Sequence, residues 1–91
     1  MSYTPQWLVK LDENTYQCYI IEPWPLLSRV KCMEDLLRML KPVDTKKWWR
    51  YSKMFKDVLL DDTKSRDEKA REIEKMAQEI CRELGITLVI S

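Results

Sequence analysis

Histidine is absent from this 91-residue chain, and glycine occurs once, at position 85. Without histidine the chain lacks a His-based catalytic triad, an imidazole general base and the usual ligand set of zinc. A phosphate-binding loop and a dinucleotide-binding fingerprint each need several glycines, because the backbone must approach a phosphate. We therefore expect a protein that is not an enzyme and holds no cofactor.

Cysteine is sparse, and the three residues, Cys18, Cys32 and Cys81, lie far apart in the chain. This spacing argues against a zinc ribbon or an iron–sulfur cluster. An odd number of cysteines, with no recognisable secretory signal at the start, predicts reduced thiols in the cytoplasm. No apolar run approaches the roughly 20 residues of a transmembrane helix, so we expect no membrane partner.

Two remaining features could carry chemistry. The adjacent acids Asp61 and Asp62 could hold a divalent cation, but neighbouring side chains alone form a poor oxygen cage. We interpret them as a polar loop that ends one helix and precedes the next. Cys81 could be a nucleophile, but it lies on the apolar edge of a predicted helix without a nearby base, which indicates a buried, inert thiol. An enzyme using either group is the least favoured hypothesis.

The composition is that of one folded domain over residues 1–91. The chain is 45% hydrophobic and 34% charged with a net charge of +1, unlike a disordered chain. Its length leaves room for one core. The pattern predicts elements in the order β-β-α-α-α-β. We expect a small α+β domain, in which helices cover one face of a three-stranded, mainly antiparallel sheet.

The strands are predicted from aromatic and β-branched residues. Residues 7–11 and 16–22 read as a β-hairpin around the polar connector 12–15, and residues 86–90 as a strand buried on both faces. On the first strand, one face carries Trp7, Val9 and Leu11. On the second, either of two sets could face inward: Tyr16, Cys18 and Ile20, or Gln17, Tyr19 and Ile21.

Apolar residues at helical spacing predict the first two helices. The first begins near Pro25, which suits a first helical turn, or only at Met33, where acidic residues follow. The second begins at a cap formed by Asp44 or Thr45 and extends to about Leu60.

The third helix has the clearest signals. Ser65 and Glu68 form a capping box, and Gly85 suits a left-handed C-terminal cap. Its apolar residues follow a 3-4 spacing that could also pack against a second copy, which makes a homodimer possible. They are Ala70, Ile73, Ala77, Ile80 and Leu84.

The segment KKWWRYSKMFK, residues 46–56, combines five basic and four aromatic residues without an acid. Residues 41–56 hold six basic groups and one acid, a charge of +5, so the rest of the chain carries −4. On a helical wheel most of the aromatics fall on a core-facing stripe. Trp49 lies about 100° from Trp48 and is predicted to face solvent among cations. The competing interpretation is that Trp49 packs beneath the N-terminal hairpin, or that the stems of lysine side chains simply lie over its ring.

This segment is the candidate binding surface. The leading hypothesis is a small intracellular protein that regulates or inhibits a protein partner, because Trp and Arg are enriched where binding energy concentrates. The alternative is binding of RNA or single-stranded DNA, with Trp49 stacked on a base and cations on phosphates. Basic residues in the first turn oppose the helix dipole but suit an anionic partner. The candidate residues are Lys46, Lys47, Trp49, Arg50, Lys53, Lys56 and Leu60.

Overall fold

The computed structural model describes residues 7–90; residues 1–6 and 91, which the predicted domain also includes, lie outside the described range. The described chain forms β1 (Leu8–Asp12), β2 (Thr15–Cys18), α1 (Pro25–Leu40), α2 (Thr45–Leu60), α3 (Arg66–Leu84) and β3 (Thr87–Ile90). This order confirms the predicted α+β class. Among residues 7–90, no helix combines the length and the apolar character that crossing a bilayer requires.

The three strands form one sheet in the order β1-β2-β3. β1 and β2 pair antiparallel as a hairpin, whereas β2 and β3 pair parallel. The sheet is therefore mixed, and the prediction of mainly antiparallel pairing was wrong for β3. The connection explains the difference, because three helices separate β2 from β3 and parallel neighbours need a long crossover of this kind.

The register of the sheet determines which residues face the helices. Cys18 pairs with Leu8 on β1 and with Ile90 on β3, and all three pack in the core. The alternative in which Cys18 faces inward is therefore the observed one. Because side chains alternate along a strand, Val9 and Val89 lie on the opposite face of the sheet.

Two predictions about the strands need correction. Trp7, Val9 and Leu11 were expected to share a face. In the structure Trp7 packs against the core together with Leu8, whereas Leu11 is exposed. β3 is not buried on both faces, since Val89 is 41% exposed. An apolar run without alternation does not reveal which face of an edge strand is covered.

The helices begin and end where local chemistry favours it. α1 begins at Pro25, the earlier of the two predicted starts. The Asp44 carboxylate caps α2 by accepting a hydrogen bond from the Lys47 backbone N–H at 3.0 Å. Both hydrogen bonds of the predicted capping box between Ser65 and Glu68 are present at the start of α3.

The core lies chiefly between α1 and α3, which pack against each other more extensively than any other pair of elements. Met33 and Leu36 on α1 and Ile73 and Ile80 on α3 are fully buried. The apolar stripe of α3 is therefore occupied within the protein and is closed to a second copy. A homodimer through another surface stays a prediction.

Cys18 and Cys32 form a disulfide between β2 and α1, with their Cα atoms 5.9 Å apart. The expectation of three reduced thiols was wrong for this pair. The two cysteines are 14 positions apart in the sequence, and only the packing of β2 on α1 brings them together. Cys81 is the free cysteine and is buried.

Gly85 is the C-cap of α3 and has a φ of +70°, in the left-handed region. A Cβ added there would meet no heavy atom within 4 Å, so a substitution is penalised by conformation rather than by a clash. We predict that Gly85→Ala lowers the free energy of unfolding by about 1 kcal/mol, measured by urea denaturation. Gly85→Asn should lose less, because Asn tolerates this conformation. Equal stability of the Ala variant and the parent would contradict the role of the cap.

Candidate functional site

α2 is amphipathic, and its buried edge holds it against the rest of the domain. Tyr51 and Phe55 are buried, and Trp48, Val58 and Leu59 pack beside them against the core. The Nζ of Lys41 lies 4.7 Å from the ring centroid of Trp48, a distance at which a cation and an indole attract. These contacts leave the opposite edge of α2 facing solvent.

Two large apolar side chains stand on that opposite edge. Trp49 is 66% exposed and Leu60 is 67% exposed. They are eleven residues apart, which places them about 16 Å apart along the helix axis. The indole rings of Trp48 and Trp49 lie 6.3 Å apart, yet one belongs to the core and the other to the surface. The predicted exposure of Trp49 is confirmed, and the interpretation that it packs beneath the hairpin was wrong.

Four cations accompany these apolar residues. Lys46, Arg50, Lys53 and Lys56 are all exposed, and none has an ion-pair partner among residues 7–90. Lys53 and Lys56 follow Trp49 by four and seven residues, so the three share one side of the helix. The Cζ of Arg50 lies 5.3 Å from the ring centroid of Tyr51, on the flank. We call Lys46, Trp49, Arg50, Lys53, Lys56 and Leu60 the α2 surface.

Lys47 is separate from the α2 surface. Its ammonium group forms an ion pair with Glu83 near the end of α3, and its side chain is half-buried. The hydrogen bond to Glu83 raises the pKa of Lys47. The Glu83 carboxylate also offsets the unfavourable interaction between this cation and the positive end of the α2 dipole. Of the two first-turn lysines, Lys46 is the one that is exposed and has no ion pair within residues 7–90.

Further exposed residues lie on or near the exposed side of α2. Asp57 is exposed, and it lies four residues after Lys53, on the same side of α2. It reduces the charge of the exposed side from +4 to +3. Met54 and Val43 are also exposed near this surface. Helical spacing places Asp57 on this side of α2, so the sequence contains the signal for it.

The acidic pair after α2 has a structural role. The Asp61 carboxylate accepts hydrogen bonds from the Thr63 backbone N–H at 2.9 Å and from the Thr63 hydroxyl at 2.6 Å. These bonds, with the hydroxyl contributing most, lower the pKa of Asp61. Within residues 7–90, no three or more acidic or cysteine side chains come together to hold a metal ion. The interpretation of Asp61 and Asp62 as a polar loop is confirmed.

Burial determines the chemistry of Cys81. The thiol lies in the core, and desolvation raises its pKa from 9.0 to about 12. A thiol with this pKa contains almost no thiolate at neutral pH, so it is a poor nucleophile. The predicted burial of Cys81 is confirmed.

The two adjacent tryptophans should contribute differently to the free energy of unfolding. We predict that Trp48→Ala lowers the free energy of unfolding by about 2 kcal/mol, because it removes packed apolar area. Trp49→Ala should change it by less than about 0.5 kcal/mol, because the indole projects into solvent. Urea denaturation of both variants checks this pair. A large loss on Trp49→Ala would mean that the indole is packed.

Cys81 should resist alkylation in the folded protein. We expect iodoacetamide at mildly alkaline pH to leave Cys81 unmodified in the native state and to modify it fully in guanidinium, as followed by intact mass spectrometry. Its burial and its raised pKa both protect it. Rapid modification under native conditions would show an accessible thiolate and would reopen the enzyme hypothesis.

Three comparisons bear on identity. No family model, curated protein or solved structure matches the chain. No relative therefore indicates an activity for this chain.

Proposed function

We propose that the protein acts by binding, and that the α2 surface docks onto a protein partner whose activity it regulates or inhibits. One observation carries the proposal. Trp49 and Leu60 are each about two-thirds exposed on the same side of one helix, and between them lie Lys53 and Lys56, which form no ion pair within residues 7–90. Trp and Arg are enriched among the residues that supply most of the binding energy at protein interfaces.

The spacing supports a helix-in-groove mode of binding. In that mode an amphipathic helix places apolar anchors along one side into a hydrophobic groove of the partner. Trp49 and Leu60 supply two anchors about 16 Å apart, and Lys53 and Lys56 lie between them. The partner is therefore proposed to present two apolar depressions with acidic residues around them. Complementary charge of this kind accelerates association and sets the register.

α2 is already held in place before any partner arrives. Its first turn is tied to α3 by the ion pair between Lys47 and Glu83. Its last turn is tied by Lys69, whose Nζ donates a hydrogen bond to the Leu59 carbonyl at 2.9 Å. A preformed helix loses little conformational entropy on binding, which raises affinity.

Binding of RNA or single-stranded DNA is the second candidate, and the four exposed cations beside Trp49 favour it. Three features nevertheless favour a protein partner over a nucleic acid. Proteins that bind single strands use several aromatic platforms along a basic groove. On α2, Trp49 is the exposed aromatic, whereas Tyr51 and Phe55 are buried. The surface is also convex and includes Asp57, which would repel a phosphate.

The cytoplasmic location predicted from the sequence stays a prediction. The cysteines no longer support this prediction, because Cys18 and Cys32 are paired in a disulfide. Disulfides are rare in cytosolic proteins.

The proposal is tested by capturing a partner on the immobilised protein, purifying it and measuring Kd by calorimetry. Leu60→Ala and Lys53→Glu should each weaken binding at least about tenfold, because they remove an anchor and reverse a central charge. Two matched controls should bind normally. Leu11→Ala removes an exposed leucine on β1, and Lys75→Glu reverses an exposed lysine on α3.

An oligonucleotide titration separates the two candidate functions. Four phosphate contacts would make the logarithm of the association constant fall with the logarithm of salt concentration at a slope of about −2.8 for a single strand. Tight binding with this slope, lost in Lys53→Glu, would replace the protein partner with a nucleic acid. Full binding of the purified protein partner by Leu60→Ala and Lys53→Glu would refute the α2 surface.

A further inference from the structure

A cleft of about 610 Å³ lies between the start of α1 and the start of α3. Its apolar lining includes Trp24, Leu27 and Val30 on one side and Ala70 on the other. This volume falls within the range of sites that bind ligands in proteins. The cleft shares no residue with the α2 surface, so it is a second, separate feature.

The wall of the cleft is apolar, exposed and held in place. Trp24 is 56% exposed and Leu27 is 42% exposed. Trp24 stands between Pro23 and Pro25, whose rings restrict the backbone. The backbone N–H of Trp24 donates a hydrogen bond to the Ile21 carbonyl at 2.7 Å, and the backbone carbonyl of Trp24 accepts one from the Ser28 hydroxyl at 2.7 Å. The exposed indole is therefore presented by an ordered segment.

The charges around the cleft favour an anionic ligand. Arg29 is occupied, because it pairs with Glu74 and donates to the Pro25 carbonyl at 2.8 Å. Arg66 and Arg71 line the cleft, are exposed and have no ion-pair partner among residues 7–90. Asp67 is the acid that lines the cleft. Together, Arg66, Arg71 and Asp67 have a net charge of +1.

We propose that this cleft binds a short acidic segment of a protein, in which a large apolar side chain lies beside carboxylates. The apolar side chain occupies the space between Leu27, Val30 and Ala70. The carboxylates face Arg66 and Arg71, whose planar guanidinium groups bind carboxylates through paired hydrogen bonds. The apolar lining suits a leucine or phenylalanine side chain, and the two guanidinium groups suit the carboxylates beside it. The open form of the cleft suits an extended segment that enters and leaves it.

The probe is an acetylated and amidated peptide of sequence Glu-Asp-Leu-Phe-Asp-Glu, titrated into the ¹⁵N-labelled protein at low salt. We expect amide shifts centred on residues 24–30 and 66–71, and none with a peptide in which lysine replaces every acid. Arg71→Ala should weaken binding about tenfold, the effect of losing one charge-assisted hydrogen bond. Leu27→Glu should abolish it, because a carboxylate then occupies the apolar space.

Two control variants leave the cleft intact. Arg82→Ala removes an exposed arginine at the far end of α3, and Trp49→Ala alters only the α2 surface. Both should bind the acidic peptide normally. The inference is overturned if the peptide does not bind at millimolar concentration, if it shifts α2 instead, or if Leu27→Glu binds as well as the parent. It is also overturned if an oligothymidylate shifts the cleft residues and the peptide does not.

Discussion

The rotation of α2 about its own axis is the constraint on which the exposed features of this helix depend. Tyr51 and Phe55 point into the core and set that rotation, and α3 clamps both ends of the helix through Glu83 and Lys69. Lys69 also supplies a positive charge at the last turn of α2, which has no basic residue of its own. With the buried edge held in this way, Trp49 must project into solvent.

Exposing one side of α2 costs the protein little stability, because the core lies mainly between α1 and α3. α1 and α3 bury their largest side chains against each other and against one face of the sheet. α2 adds two buried side chains to this core and three that pack beside them. Lys47 pairs with Glu83, whereas the exposed positions of α2 are not part of the core, and they carry the tryptophan, the leucine and the cations.

Much of this could be predicted from the sequence where the determinant was local. The stepping of Tyr51 and Phe55 at helical spacing predicted the buried edge of α2, and the Ser65 capping box and Gly85 predicted the bounds of α3. The features that escaped prediction depend on contacts between distant segments. The disulfide of Cys18 with Cys32, the ion pair that removes Lys47 from the surface and the parallel pairing of β3 all arise from tertiary packing. The cleft between α1 and α3 belongs to the same class, because residues more than thirty-five positions apart in the chain line it.

The most direct test of the central claim is the effect of a soluble gadolinium chelate on the indole N–H signals of the tryptophans. The account predicts strong broadening of the Trp49 signal and weak broadening of the Trp48 signal in the free protein. Addition of the captured partner should then protect Trp49. Equal broadening of the two signals, or a Trp49 signal that the partner leaves exposed, would contradict it.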